Sequence, residues 1–185
     1  MSRIRHVGDG EDPDFDELHA GMRNRPGGIP NISRILGHNV PLLRDMQEYS
    51  NALRFASGFD TRTVELVILA VAHGTGSTYT FAHHIPAARS AGISDEQLRG
   101  LAHRERADCF EERDRAVLHA AFDVARNTRL SEEAFEGFRR HFAPELLPEF
   151  LQLAGFYVLM SAVQLGTGVE VEPEFQAYVD AYWQH

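Results

Sequence analysis

The sequence contains no lysine; all 18 of its basic residues are arginine. Schiff-base catalysis, pyridoxal phosphate attachment and a P-loop each need a side-chain amine, so all three are excluded. Cysteine is almost absent as well. The single Cys109 rules out a disulfide or a dithiol couple within the chain. It lies in RERADCFEERD among charges of both signs, either as a structural cysteine or as a reactive thiol that would need an outside partner. Positive charge is scarce: the formal net charge is −9 and there is no basic run. Neither nucleic acid nor an anionic membrane surface is an expected partner, since both need clustered cations. Long apolar runs are also lacking. LAGFYVLMSAVQLG, Leu153–Gly166, is the longest, and it falls short of the roughly 20 residues that cross a bilayer. No apolar segment follows Met1, so no secretory signal is expected, and the expected location is cytoplasmic.

What remains is a 185-residue chain with an ordinary apolar share of 43%, enough for one core. Residues 1–25 read as a polar, frayed tail leading to a short helix, and residues 26–185 as a single domain. RPGGIPN is a loop, and Asn31 is placed to cap a short helix over Ile32–Leu36. VPLLRDMQEYSNALRFA carries Leu42, Leu43, Met46, Tyr49, Leu53 and Phe55 at mostly helical spacing. Asp60 caps a helix from Thr61 to about His73, and Gly74-Thr75-Gly76 breaks it. A second helix follows from about Ser77 to Ser90. SDEQ, Ser94–Gln97, is a capping box. Further helices are expected over Arg113–Arg126, Glu132–Phe142, Pro144 to about Gln164, and Glu174–Trp183. No segment alternates as a strand does, so the expected fold class is all-α.

The polar residues of VELVILAVAHGTGSTYTFAHH concentrate the chemistry. The short glycine-containing turn makes the two flanking helices antiparallel partners. Glu65 lies ten residues before Thr75 and His84 nine after it. A rise of about 1.5 Å per residue sets both roughly 14 Å from the turn, face to face. Ser77, Thr80 and His84 share one helix face, and Tyr79, His83 and Pro86 the adjacent one. Glu65 and His84 are therefore the candidate catalytic pair, the carboxylate orienting and the imidazole transferring protons. Ser77, Tyr79, Thr80 and His83 are candidate substrate-binding residues. The same pair is equally readable as a buried polar link between helices, Ser77 as an N-cap, and Thr80 as bonded back to its own helix. Pro86 cannot donate to the Ala82 carbonyl and is expected to kink the helix beside both histidines. A metal is not expected. His83 and His84 point about 100° apart, and the sequence has no HxxxH or HExxH pair.

PNISRILGHNVPLL together with RTVELVILAVAHGTGSTYTFAHHIPAARSAGIS resembles the carboxymuconolactone decarboxylase-like superfamily, which includes the AhpD-type alkyl hydroperoxidases. The resemblance covers roughly Pro30–Leu101. It implies an AhpD-like helical bundle built around the hairpin, a homo-oligomer, no cofactor, and a small-molecule substrate. In AhpD-type members the pattern is a Glu, a CxxC pair and a His four residues later. Glu65 and His84 occupy the Glu and His positions, while Ser77 and Thr80 stand where the cysteines would be. Hydroxyls form no disulfide, so the thiol peroxidase cycle is not expected. The decarboxylase members act on a carboxylated muconolactone in aromatic catabolism. The resemblance therefore implies a lyase or related acid/base enzyme acting on a small organic acid or lactone, with His84 as the proton-transfer group. The alternatives are an AhpD-like antioxidant-related protein or binding scaffold without redox thiols, or a peroxidase working through Cys109. Leu147, Phe150, Leu151, Leu153, Phe156 and Tyr157 begin a helix that is apolar on most sides. Such a helix is either central to its own chain or covered by another subunit.

Overall fold

The computed structural model describes residues 2–23, 28–106 and 108–183. The boundary expected between residues 25 and 26, and the start of the RPGGIPN loop, lie outside these residues. Ten α-helices are seen among them: α1 (Pro13–Leu18), α2 (Asn31–Leu36), α3 (Val40–Phe55), α4 (Thr61–Thr75), α5 (Thr78–Ser90), α6 (Asp95–Gly100), α7 (Glu112–Asn127), α8 (Glu132–His141), α9 (Leu147–Thr167) and α10 (Pro173–Tyr182). No strand occurs among the described residues.

Helix α4 is the axis of the bundle. Every residue from Thr63 to Ala72 is buried, because α5, α7 and α9 all pack against it. A helix apolar all round belongs at the centre of a core, and Glu65 is the one carboxylate in that run. Asp60 caps its start by accepting from the Thr63 N–H at 2.8 Å. Its end comes later than the sequence predicts. The helix runs through Gly74 to Thr75, and only Gly76 leaves it, in the left-handed region at φ 83°. The Ser77 N–H then reaches back to the Ala72 carbonyl at 2.8 Å, closing a Schellman turn. Gly74 does other work: a Cβ there would stand 2.8 Å from that of Ala125, so its absence lets α7 come close.

The structure differs from the expected outline at other points as well. Asn31 begins α2 instead of capping it, and its side chain donates to the Glu170 carbonyl at 3.0 Å. Helix α5 runs from Thr78 to Ser90 as expected, with Ser77 as its N-cap and Pro86 inside it. Within residues 2–23 the N-terminal segment packs onto the rest of the chain. Its Val7 N–H bonds to the Arg34 carbonyl, and Val7 and Phe15 pack with Ile29, Val40 and Leu43 in a small satellite core. Helix α9 is longer than the apolar run it contains. Its 21 residues, continued from a short 3₁₀ turn at Pro144, are long and apolar enough to cross a membrane by length and composition. One face nevertheless lies in the core through Phe150, Leu153, Ala154, Tyr157 and Met160. Leu151, Leu159 and Leu165 remain exposed on its other side. The capping box at Ser94 forms in both directions, to the Gln97 N–H and from the Gln97 side chain.

Candidate functional site

Helices α4 and α5 lie antiparallel across the Gly76 turn, and Glu65 and His84 meet between them. Glu65 Oε2 is 2.7 Å from His84 Nδ1. Its other oxygen accepts from Arg54 of α3 at 3.2 Å. Burial pushes this carboxyl up, but the charge and hydrogen bond of His84, followed by those of Arg54, outweigh burial and hold it below its ordinary value of 4.5. In the neutral ring, the ionised acceptor at Nδ1 keeps the proton there and leaves the Nε2 lone pair pointing away. Nε2 accepts from the Tyr157 hydroxyl of α9 at 3.3 Å. Burial raises the pKa of the Tyr157 phenol, so it remains a donor.

His84 and Tyr157 open onto a cavity of about 250 Å³, walled also by Arg54, Met46, Phe156 and Thr80. A dry cavity of about 150 Å³ holds a benzene molecule, so this one has room for a single substituted ring. Glu65 does not line it. At 1% exposure it stands behind His84.

The two hydroxyls of the turn have a different fate. Ser77 Oγ donates to Gln164 Oε1 at 2.5 Å, and Thr80 Oγ1 donates to the same oxygen at 2.7 Å. Ser77 also caps α5 by accepting from the Thr80 N–H. Thr80 and Gln164 line the cavity, whereas Ser77 does not. Tyr79 and His83 do line it, each committed to a carboxylate that sequence reasoning missed. Tyr79 O–H donates to Glu172 Oε1 at 2.7 Å, and His83 Nε2 lies 2.6 Å from Glu172 Oε2.

Arg54, Tyr157, Gln164 and Glu172 are therefore site residues that sequence reasoning did not find. Gln164 and Glu172 left a signal of the same kind as Glu65. Gln164 is an amide closing the apolar run of α9, and Glu172 is a carboxylate beside apolar residues; each would need a partner if buried. Cys109 is remote from the cavity. Its sulfur faces the Glu96 carbonyl, and burial, followed by the negative charges of Glu96 and Asp108, raises its pKa. That environment opposes the thiolate a peroxidase needs. Among the described residues, no group of three or more His, Cys, Asp or Glu side chains is gathered as a metal site would require.

Residues 41–123 match the model of the carboxymuconolactone decarboxylase family. No curated protein matches the chain. Among solved structures, a cysteine-to-alanine variant of the debrominase Bmp8 in complex with 2,3,4-tribromopyrrole superposes with a TM-score of 0.82, at 16% identity over 97% of both chains. An uncharacterised peroxidase-related protein from Silicibacter sp. TM1040 gives 0.82 at 18% identity, over 94% of this chain and 93% of that one. An alkylhydroperoxidase AhpD core protein from Ralstonia eutropha JMP134 gives 0.81 at 22% identity over 94% of each. At these identities the structural likeness establishes the shared all-α fold.

Proposed function

From the match of residues 41–123 to the model of the carboxymuconolactone decarboxylase family, we propose that the chain is a general acid/base enzyme of that family. Its substrate is a small, ring-sized organic acid or lactone, and its chemistry is decarboxylation, isomerisation or a related lactone reaction without a redox thiol. The observation that carries this reading is the His84 imidazole. Buried Glu65 fixes its Nδ1 side, and its Nε2 side meets Tyr157 at the wall of a cavity sized for one ring. A base held in one tautomer and one orientation is what proton transfer at carbon requires. Arg54, already paired with Glu65 and also in the wall, offers a cation to a substrate carboxylate. The tribromopyrrole bound to Bmp8 supports a single ring as the size class. Closure of Ser77 and Thr80 onto Gln164 speaks against a thiol-like role for either hydroxyl.

The test is a panel of small lactones and ring carboxylic acids, followed by NMR for consumption and for exchange of carbon-bound protons with solvent. The expected result is turnover that falls by about 10²-fold or more in His84→Gln. Equal turnover in the variant overturns the role of His84. No turnover across the panel favours a second reading, an AhpD-like binding scaffold. The exposed Leu151, Leu159 and Leu165 of α9 supply that reading with an apolar surface. On either reading we place a second copy of this chain on that surface, forming a homo-oligomer.

A further inference from the structure

His83 and His84 are neighbours in sequence, line the same cavity, and are each bonded to a carboxylate of their own. The two carboxylates come from distant parts of the chain. Glu65 lies inside α4, and Glu172 lies in the segment between α9 and α10. Glu172 is only 6% exposed and is held firmly. Besides His83 it accepts from the Tyr79 hydroxyl at 2.7 Å and the Asn31 N–H at 2.6 Å. The His83 ring is stacked on both faces, against Tyr79 at 4.4 Å between centroids and Phe175 at 4.0 Å. The rings are held through opposite nitrogens, His84 by Nδ1 and His83 by Nε2. Adjacent helix positions diverge by about 100°, so the imidazoles approach the cavity from different directions.

We propose that His83, positioned by Glu172, is a second catalytic residue, and that the cavity performs a prototropic shift on a small β,γ-unsaturated lactone or ketone. This rests on the acid/base reading above and gives it a reaction class. His84 Nε2 takes a proton from the α carbon, and the C–H electron pair passes into a dienolate whose negative charge rests on the carbonyl oxygen. The dienolate then forms a new C–H bond at the γ carbon with the Nδ1 proton of a doubly protonated His83, whose Nε2 proton stays with Glu172, and the double bond moves into conjugation with the carbonyl. One proton leaves carbon and one returns, so no oxidant, reductant or leaving group is involved. Solvent resets the pair by protonating His83 and deprotonating His84. The Tyr157 and Tyr79 phenols, whose pKa values are both raised by burial, stay protonated at the cavity wall.

The experiment uses the full chain with α-angelica lactone as the probe, in deuterated water. NMR reads deuterium entry at the α carbon separately from formation of the conjugated isomer. The wild type is expected to catalyse both. His83→Gln is expected to lower the ratio of isomer formation to α exchange by at least tenfold. Glu172→Gln keeps a partner for the Asn31 N–H and the Tyr79 hydroxyl, so it preserves folding, and it is expected to lower the same ratio. General damage to the fold would lower both rates together and leave the ratio unchanged. A wild type that exchanges the α proton, with the ratio unchanged in both variants, overturns the role of His83 and leaves the acid/base reading standing. A wild type that exchanges nothing overturns the prototropic shift and leaves the acid/base reading to the wider panel of lactones and ring acids.

Discussion

Glu65 and His84 stand 2.7 Å apart between α4 and α5, with the carboxylate sealed at 1% exposure and the imidazole opening onto the cavity. On the proposed acid/base reading the carboxylate is a positioning residue, and the histidine is the one of the two that lines the cavity. Glu65→Gln keeps a similar shape but removes the charge that fixes the tautomer. Its expected effect is a fall in kcat of about tenfold or more with KM nearly constant, smaller than that of His84→Gln. Steady-state kinetics on any substrate found in the lactone panel would check this, and a change confined to KM would contradict it.

Gln164 is the joint that holds the turn to α9. Its side-chain oxygen accepts from both Ser77 and Thr80. Gln164→Leu leaves two buried hydroxyls without that partner, at an expected cost of about 1–3 kcal/mol each. Adding Ser77→Ala and Thr80→Ala should restore part of the loss, because removing both sides of a buried hydrogen bond costs less than removing one. Urea unfolding of the single and triple variants measures the difference.

Because Ser77 and Thr80 bond to the same oxygen, their hydroxyls lie within about 5 Å of each other. Side chains three apart at a helix start fall in the range a disulfide spans. The double variant Ser77→Cys, Thr80→Cys should therefore form an internal disulfide under mild oxidant. Thiol titration before and after oxidation should show two thiols lost and Cys109 retained. Wild type should lose no thiol to an internal bond.

The Glu65 carboxyl lies below its ordinary value of 4.5 in the folded chain, since His84 and Arg54 outweigh the opposing effect of burial. Glu172 is lowered too; burial again opposes, and His83, the Asn31 N–H and Tyr79 prevail. When a folded pKa is depressed, the unfolded state binds more protons as the pH falls, so stability present above the unfolded value drains away below it. Thermal stability should hold above about pH 4.5 and fall as the pH drops through the folded values. The fall should be shallower in Glu65→Gln, which has one fewer proton to take up. Calorimetry across that range decides, and equal slopes in the two proteins would contradict the assignment.

The hairpin and its pair were legible because helix geometry is local. A fixed rise and a short turn place residues ten before and nine after it at one level, whatever else the chain does. The glycine break was read too early because Gly74 looks like a helix breaker in sequence. Its use is instead to admit Ala125 of α7, a contact between residues far apart. Asn31 likewise looked like a cap and proved to bond to Glu170, 139 residues away.

By itself the sequence determined the helical class, the hairpin, the caps at Asp60 and Ser94, the carboxylate–histidine meeting and the loss of both sulfurs. These depend on side-chain chemistry and on periods of a few residues. Tertiary structure alone decided that Gln164 closes the two hydroxyls, that Tyr157 faces Nε2 of His84, and that Glu172 supplies His83 with a carboxylate. Those partners come from α9 and the segment after it, more than 70 residues away. Which face of an apolar helix turns toward the hairpin is settled by packing against α4 and α5, and no local pattern in α9 records it.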